Sequence, residues 1–132
     1  MQRNIYAFNV IQKAGNLPTI KMGIGMHTGP LIMGITGDKN RLDATTISDT
    51  VNTASRIESL TKYYNASILL SEITLKQIQH PEKFHLRYLG KVQVKGRHSS
   101  IGIYECFGSD DEEQVIKKEE TLALFNQGIH HY

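Results

Sequence analysis

One stretch, Arg41–Leu60 (RLDATTISDTVNTASRIESL), constrains the fold of this chain more than any other. Its second half has the pattern of an amphipathic helix, in which apolar residues recur every three or four positions. Either Ser48 or Asp49 can be the N-cap, because a short oxygen-bearing side chain accepts a hydrogen bond from a free N–H of the first turn. The predicted helix continues to about Lys62. Its apolar stripe is predicted to be Val51, Ala54 and Ile57.

Two polar side chains of this helix, Asn52 and Arg56, are four positions apart and therefore share a face. The guanidinium can bind two phosphate oxygens at once and keeps its charge at any working pH. The amide can hydrogen-bond a hydroxyl or ether oxygen. The pair suits an anionic ligand, although the spacing alone favours the alternative, in which both residues lie on a solvated face.

The residues before this stretch are predicted to form a helix and two strands. The helix covers Gln2–Ala14, and Pro18 prevents its continuation. The strands are Ile20–Met26 and Leu31–Thr36, joined by a turn at Thr28–Pro30, and we predict that they form an antiparallel hairpin.

The glycines of this region do not make a dinucleotide-binding loop, because their spacing is not G-x-G-x-x-G and no helix follows them. Glycine within a strand more often permits close approach of another backbone. The residues concerned are Gly23, Gly25, Gly29 and Gly34. His27 is predicted to be a structural residue at a strand end, since no second ligand stands at metal-binding spacing.

Short elements follow the central stretch. We predict a strand over Ala66–Leu70, a helix of about two turns opening at Ser71, two strands within Phe84–Lys95 that separate at Gly90, and a last strand over Ile101–Phe107.

Composition narrows the function classes. The formal net charge of +2 is too small to indicate a nucleic-acid or anionic-membrane surface. We find no apolar run long enough to cross a bilayer and no signal peptide. Cys106 is the only cysteine, which is typical of a reducing compartment, so we expect a cytoplasmic location and a buried, structural thiol.

Three segments, in order, resemble the later part of the class III nucleotide cyclase catalytic domain, the adenylyl and guanylyl cyclases. They are IKMGIGMHTGPLIMGITG, TTISDTVNTASRIES and VQVKGRHSSIGIYEC, within about Tyr6–Cys106. The resemblance implies an α+β, ferredoxin-like cyclase domain that lacks its N-terminal strands, plus a C-terminal helix. It implies formation of cyclic AMP from ATP, with each active site built across two domains.

The resemblance also implies roles for four residues. Asn52 matches the asparagine that orients the ribose, and Arg56 the arginine that stabilises charge on the transferred phosphoryl group. Thr45 matches the base-reading position, where threonine favours ATP over GTP. Arg97 matches a basic residue that contacts the terminal phosphates, although lysine is more usual there. Ser48 replaces the usual glycine before Asp49.

Two divalent cations, Mg or Mn, belong to the complete family site, but the resemblance places their two aspartate ligands before Met1. Asp38, Asp43 and Asp49 do not occupy matching positions, so we assign no metal ligand in this chain. We therefore expect a fragment that is inactive without a second cyclase domain. The alternative is a non-catalytic regulatory or dimerisation module that binds nucleotide or a partner cyclase.

The predicted domain organisation has three parts. Residues 1–108 form the partial cyclase domain, 109–113 an acidic hinge, and 114–132 a helical tail. The tail resembles the first helix of a helical repeat, although one helix cannot establish a period.

Overall fold

The computed structural model describes residues 1–38, 41–93 and 100–131. For residues 35–38 and 41–47 it describes the backbone alone. The elements in chain order are α1 (Gln2–Ala14), β1 (Ile24–Met26), β2 (Ile32–Asp38), β3 (Arg41–Ile47), α2 (Asp49–Tyr64), β4 (Ile68–Ser71), α3 (Glu72–Gln77), a 3₁₀ turn (Pro81–Lys83), β5 (Leu86–Gln93), β6 (Ser100–Cys106) and α4 (Glu112–His130). The α+β class is confirmed.

Four strands form one sheet in the order β1-β4-β6-β5, and β2 pairs with β3 in a separate hairpin. β1 runs parallel to β4, with Ile24 opposite Ile68, whereas β6 is antiparallel to both of its neighbours. The predicted hairpin between Ile20–Met26 and Leu31–Thr36 is therefore wrong. Two apolar strands separated by a turn are compatible with either a hairpin or a crossover. Here the crossover includes α2, which packs on both β1 and β4.

Glycines bring α2 unusually close to β1. A Cβ on Gly25 would lie 2.2 Å from the backbone nitrogen of Glu58, and one on Gly23 would lie 2.0 Å from the Thr61 hydroxyl. Close approach of a backbone was the role predicted for these glycines, and it is confirmed at Gly25. At Gly23 and Gly29 the close neighbour is a threonine side chain, and at Gly34 a Cβ would meet nothing within 4 Å, so the prediction is wrong at these positions.

This close packing also corrects the predicted apolar stripe of α2. Val51 is 42% exposed. The buried residues of α2 are Thr50, Thr53, Ile57 and Thr61. Only small side chains fit where the helix backbone lies against the strand, so threonine replaces larger apolar residues there.

One core cluster joins the helices to the sheet. It contains Ile57, Ala66, Leu69, Leu89, Ile101 and Ile103, with Leu60, Tyr64, Val92 and Phe125 packed against it. Because Ile57 lies on α2 and Phe125 on α4, both helices contribute to the same core.

β5 is a single strand, so the predicted division of Phe84–Lys95 into two strands at Gly90 is wrong. The register against β6 shifts between Tyr88 and Gly90, and Gly90 has a positive φ of 109°. This is a β-bulge, which allows the strand to continue after one extra residue.

α1 has the predicted bounds, and polar side chains make its contacts with the residues before β1. Its inward polar side chains are hydrogen-bonded: Gln2 Nε2 donates to the carbonyl of Met22 at 2.9 Å, and Asn9 bonds both backbone groups of Ile20. The apolar side chains of Tyr6, Phe8, Val10 and Ile11 are exposed. The amphipathic pattern therefore faces outward here.

The C-terminal helix α4 begins at Glu112, two residues before its predicted start, and packs on β5. The predicted division into a domain, a hinge and a tail stays a prediction. No helix in the described part of the chain is both long and apolar enough to cross a membrane.

Candidate functional site

The candidate site begins at the first turn of α2, which is fixed by its cap. Ser48 has extended backbone angles, and its hydroxyl accepts a hydrogen bond from the N–H of Val51 at 3.2 Å. Of the two predicted caps, Ser48 is the one used. Asp49 occupies the first turn, where a carboxylate is favourable to the helix dipole.

Asn52 and Arg56 are both exposed on α2, one turn apart. Thr53 and Ile57, each one position further along, are buried. The buried face of the helix therefore fixes its rotation and leaves Asn52 and Arg56 directed away from the core. Their predicted sharing of one face is consistent with the helix, while their ligand remains a prediction.

One hydrogen bond holds the first turn of α2 against the segment that follows β1. The Thr50 hydroxyl donates to the carbonyl of Pro30 at 2.5 Å. A Cβ on Gly29 would lie 2.6 Å from that same hydroxyl, so glycine is required for this contact. Nearby, His27 Nδ1 lies 2.9 Å from the hydroxyl of Ser71, which is fully buried. This bond agrees with a structural role for His27.

Of the other two predicted site residues, the structure describes the backbone alone for Thr45 and does not describe Arg97. The Thr45 backbone lies on β3, opposite Gly34 of β2, three residues before the cap of α2. Arg97 lies outside the described residues, in the connection between β5 and β6. The structure therefore places Asn52 and Arg56 together and does not test whether the other two join them.

An exposed apolar segment lies at the start of β2, whose partner strand β3 leads into α2. Leu31, Ile32 and Met33 are consecutive and all exposed, and Ile32 pairs with Ile47, the residue before the cap of α2. Consecutive exposed apolar residues are typical of an interaction surface.

The residues described do not form the metal site that the resemblance implies. Among the side chains that the structure describes, which exclude those of residues 35–47 and 94–99, no group of three His, Cys, Asp or Glu could hold a metal ion.

A cavity of about 490 Å³ lies elsewhere in the molecule, between α1, the end of α2 and the start of α4. Neither Asn52 nor Arg56 lines it. The candidate site is thus an exposed helix face rather than an enclosed pocket.

Sequence reasoning missed a cluster of charged side chains, which we call the charge cluster: Arg87, Glu105, Asp110 and Lys118. Glu105 is fully buried on β6. A signal for it was present, because Glu105 has the same strand parity as Ile101 and Ile103 and so falls on the core face. A carboxylate at such a position requires charged partners.

Burial also acts on the thiol of Cys106, at the end of β6. The surrounding protein raises the pKa of Cys106 by desolvation, and the carboxylates of Asp110 and Glu105 raise it further, against an opposing hydrogen bond from Gly108. A thiol with a raised pKa is a poor nucleophile at neutral pH. This agrees with the structural role predicted for Cys106.

Comparison with known proteins gives a consistent picture. The family model described as adenylate and guanylate cyclase catalytic domain matches residues 4–107. An adenylate cyclase of Anabaena cylindrica is 49% identical over 90 residues, which is 67% of this chain and 18% of that protein. The chain therefore spans less than a fifth of the length of this relative.

Two solved structures are similar in fold. The adenylyl cyclase CyaB from P. aeruginosa has 26% identity and a TM-score of 0.65, covering 80% of this chain and 52% of that one. The guanylyl cyclase Cya2 has 26% identity and a TM-score of 0.63, covering 84% of this chain and 54% of that one.

Proposed function

Because this chain belongs to the family of adenylate and guanylate cyclase catalytic domains, we propose that it supplies one half of an active site that converts ATP to cyclic AMP. The observation that carries the proposal is the pair Asn52 and Arg56, exposed one turn apart on a helix whose other face is locked against β1. A rigid helix holds two ligand-binding groups in fixed geometry, as a catalytic site requires.

In the proposed reaction the ribose 3′-hydroxyl loses its proton to solvent, its oxygen attacks the α-phosphorus of ATP, and the bond from that phosphorus to the bridging oxygen of the β-phosphate breaks. Pyrophosphate leaves. The Asn52 amide holds the ribose so that the 3′-oxygen faces the phosphorus. The Arg56 guanidinium stabilises the negative charge that develops on the transferred phosphoryl group. Neither residue moves a proton.

Thr45 is proposed to read the adenine, and Arg97 to bind the terminal phosphates. The Anabaena cylindrica relative, described as an adenylate cyclase, supports ATP as the substrate. The guanylyl cyclase Cya2 is also similar in fold, so the choice of base depends on the residues around Thr45 rather than on the fold.

A second cyclase domain is proposed to complete the site. Divalent metal ions, when bound by that domain, would neutralise charge on the triphosphate and lower the pKa of the 3′-hydroxyl. The exposed apolar residues Leu31, Ile32 and Met33 are the proposed contact with it, because they adjoin the strand that leads into α2.

The test is complementation in a mixture of two polypeptides. One is this chain. The other is the cyclase domain of the Anabaena cylindrica relative, with its own counterparts of Asn52 and Arg56 replaced by alanine. We expect cyclic AMP to form only in the mixture. Asn52→Ala or Arg56→Ala in this chain should lower the rate by about 10²- to 10³-fold.

The matched control is Ser59→Ala, an exposed position further along the same helix, which should leave the rate unchanged. If the Asn52 and Arg56 variants support the same rate as the unaltered chain, their catalytic assignment is wrong. Formation of cyclic GMP in preference to cyclic AMP would reject ATP but keep the cyclase assignment.

A second candidate function is a non-catalytic module that binds nucleotide or a partner cyclase. The observation in its favour is the lack of a metal-binding group among the described residues. In the same mixture, ATP binding or heterodimer formation without any cyclic nucleotide would favour this module over a catalytic half-site.

A further inference from the structure

The side chain of Glu105 is 1% exposed, and two cations neutralise it from different elements. Arg87 on β5 bonds one carboxylate oxygen through its Nε. Lys118 on α4 bonds the other oxygen at 2.6 Å. A buried carboxylate with one partner removed is strongly unfavourable, so both contacts are needed to keep it in place.

Lys118 has a second carboxylate partner. Its ammonium lies 2.5 Å from Asp110, which precedes α4, and only 14% of its side chain is exposed. The charge cluster is therefore balanced, with two cations and two anions. Removing Lys118 leaves Asp110 without its cation and Glu105 with Arg87 alone, and the loss acts directly on the strand that carries Glu105.

Each of the two cations also lies over an aromatic ring. The guanidinium of Arg87 lies 4.8 Å from the ring centre of Phe125, on α4. The ammonium of Lys118 lies 5.7 Å from the ring centre of Phe107, which follows β6 and is buried. A cation over an aromatic ring gains further attraction where water is excluded.

We propose that Lys118 is a positioning residue for the β5–β6 hairpin. α4 lies beyond the residues 4–107 that match the cyclase family, yet through Lys118 and Glu105 it fixes β6, and through Arg87 it fixes β5. These are the two strands on either side of the connection that contains Arg97. The consequence for catalysis rests on the proposed function of Arg97 in binding the terminal phosphates.

The first measurement is amide hydrogen exchange on the whole chain without nucleotide. Lys118→Met should speed exchange in residues 86–93 and 100–106 by about tenfold or more, because the hairpin opens locally more often. Lys118→Arg keeps the charge and should restore most of the protection. The matched control is Lys117→Met, which removes a neighbouring lysine that pairs with the exposed Glu113.

The second measurement is the ATP dependence of the complementation mixture. Lys118→Met should raise the KM for ATP about fivefold and leave kcat within about twofold, because ground-state phosphate binding is what a displaced Arg97 would lose. Arg97→Ala should give the same pattern. The double variant should be no worse than the worse single variant, since both act on one interaction.

Each outcome decides the proposal. Hairpin exchange that is equal in Lys118→Met and Lys117→Met overturns it without reference to nucleotide. A raised KM in Arg97→Ala but not in Lys118→Met also overturns it, and leaves the proposed function intact. An unchanged KM in Arg97→Ala rejects the role of Arg97 in the proposed function and the catalytic consequence drawn from it, and the hairpin exchange then decides by itself whether Lys118 positions the hairpin. If Lys118→Met does not fold, Lys118→Arg decides the proposal. This variant should retain both the hairpin protection and the KM for ATP, and loss of either one overturns the proposal.

Discussion

Two helices, α2 and α4, pack against opposite ends of one sheet by opposite means. α2 lies so close to β1 that a Cβ at Gly25 would touch helix backbone at 2.2 Å and 2.5 Å. α4 contacts the sheet through long side chains, because Lys118 bonds Glu105 of β6 and Phe125 lies under the Arg87 guanidinium of β5. The first contact depends on side chains being absent, and the second on side chains being long and charged.

The difference explains which helix can carry a site. The contact of α2 uses small buried threonines and backbone, so Asn52 and Arg56 are not part of it and lie exposed on the other face. In α4 the charged side chain of Lys118 is itself part of the contact. A helix held by its backbone leaves its polar groups for ligand binding, whereas a helix held by its charges does not.

The largest expected effect breaks the contact of α4. Glu105→Gln keeps the side-chain volume but removes the buried anion, which leaves Arg87 without its carboxylate partner and Lys118 with Asp110 alone. We expect the free energy of unfolding to fall by about 3 kcal/mol. Denaturant titration followed by circular dichroism measures it. Glu113→Gln, at an exposed ion pair on the same helix, should change stability by less than about 0.5 kcal/mol. Equal losses in the two variants would contradict a buried charge contact.

A smaller loss is expected where the contact of α2 is broken. Gly25→Ala inserts a methyl group against the backbone of Glu58 and Ala54, and neither can rotate away. The helix must shift, at a cost of about 2 kcal/mol. The same titration applies, with Gly34→Ala as the control, because a Cβ at Gly34 would meet nothing within 4 Å. If both alanine variants unfold at the same denaturant concentration, the close approach is not limiting.

The two N-caps allow a comparison in which both helices should behave alike. The Ser48 hydroxyl accepts from Val51 at 3.2 Å, and the Asp111 carboxylate accepts from Gln114 at 2.9 Å. Ser48→Ala and Asp111→Ala should each cost about 1 kcal/mol. Thermal unfolding of the two variants measures this. A loss at one cap alone would show that the other helix start is held by its tertiary contacts.

The smallest effect is a pH dependence at Cys106. Burial raises the pKa of this thiol in the folded chain above its value in the unfolded chain. Its contribution to stability is therefore complete below the unfolded pKa and is lost as pH rises through the folded pKa. Unfolding of the wild-type chain and Cys106→Ala should be compared from pH 7 upward to about pH 10, around the ordinary thiol pKa of about 8.5. We expect wild type to lose stability relative to the variant, and a constant difference would contradict this.

Much of the local structure was predictable because it depends on neighbouring residues. The bounds of α1, the Ser48 cap and the helix opening at Ser71 agree with their sequence signals. The pairing of β1 and the exposure of Val51 were not predictable in the same way. Both depend on how closely α2 approaches a distant strand, which the helical period alone does not reveal.

The candidate site also has a part that the sequence predicts and a part that it does not. The spacing of Asn52 and Arg56 is a local property of one helix, so the sequence predicts that they share a face. The charge cluster joins β5, β6 and α4, and its partners are far apart in the chain. Only the position of Glu105 on the core-facing side of β6 indicated the charge cluster. That position identifies a buried charge but does not identify its partners.

The bulge in β5 adds one residue, Leu89, without changing which later residues of the strand face the core. Before the bulge Arg87 stands opposite Glu105, and after it Val92 stands opposite Ile101, so both face the core. The two positions differ by an odd number of residues, which an unbroken alternation would place on opposite faces. Deleting Leu89 would restore one-to-one pairing with β6 and keep Val92 opposite Ile101, whereas deleting Lys91 would turn Val92 out to solvent. In related chains, single-residue changes in the length of β5 are therefore expected at the bulge, where the pairing absorbs them.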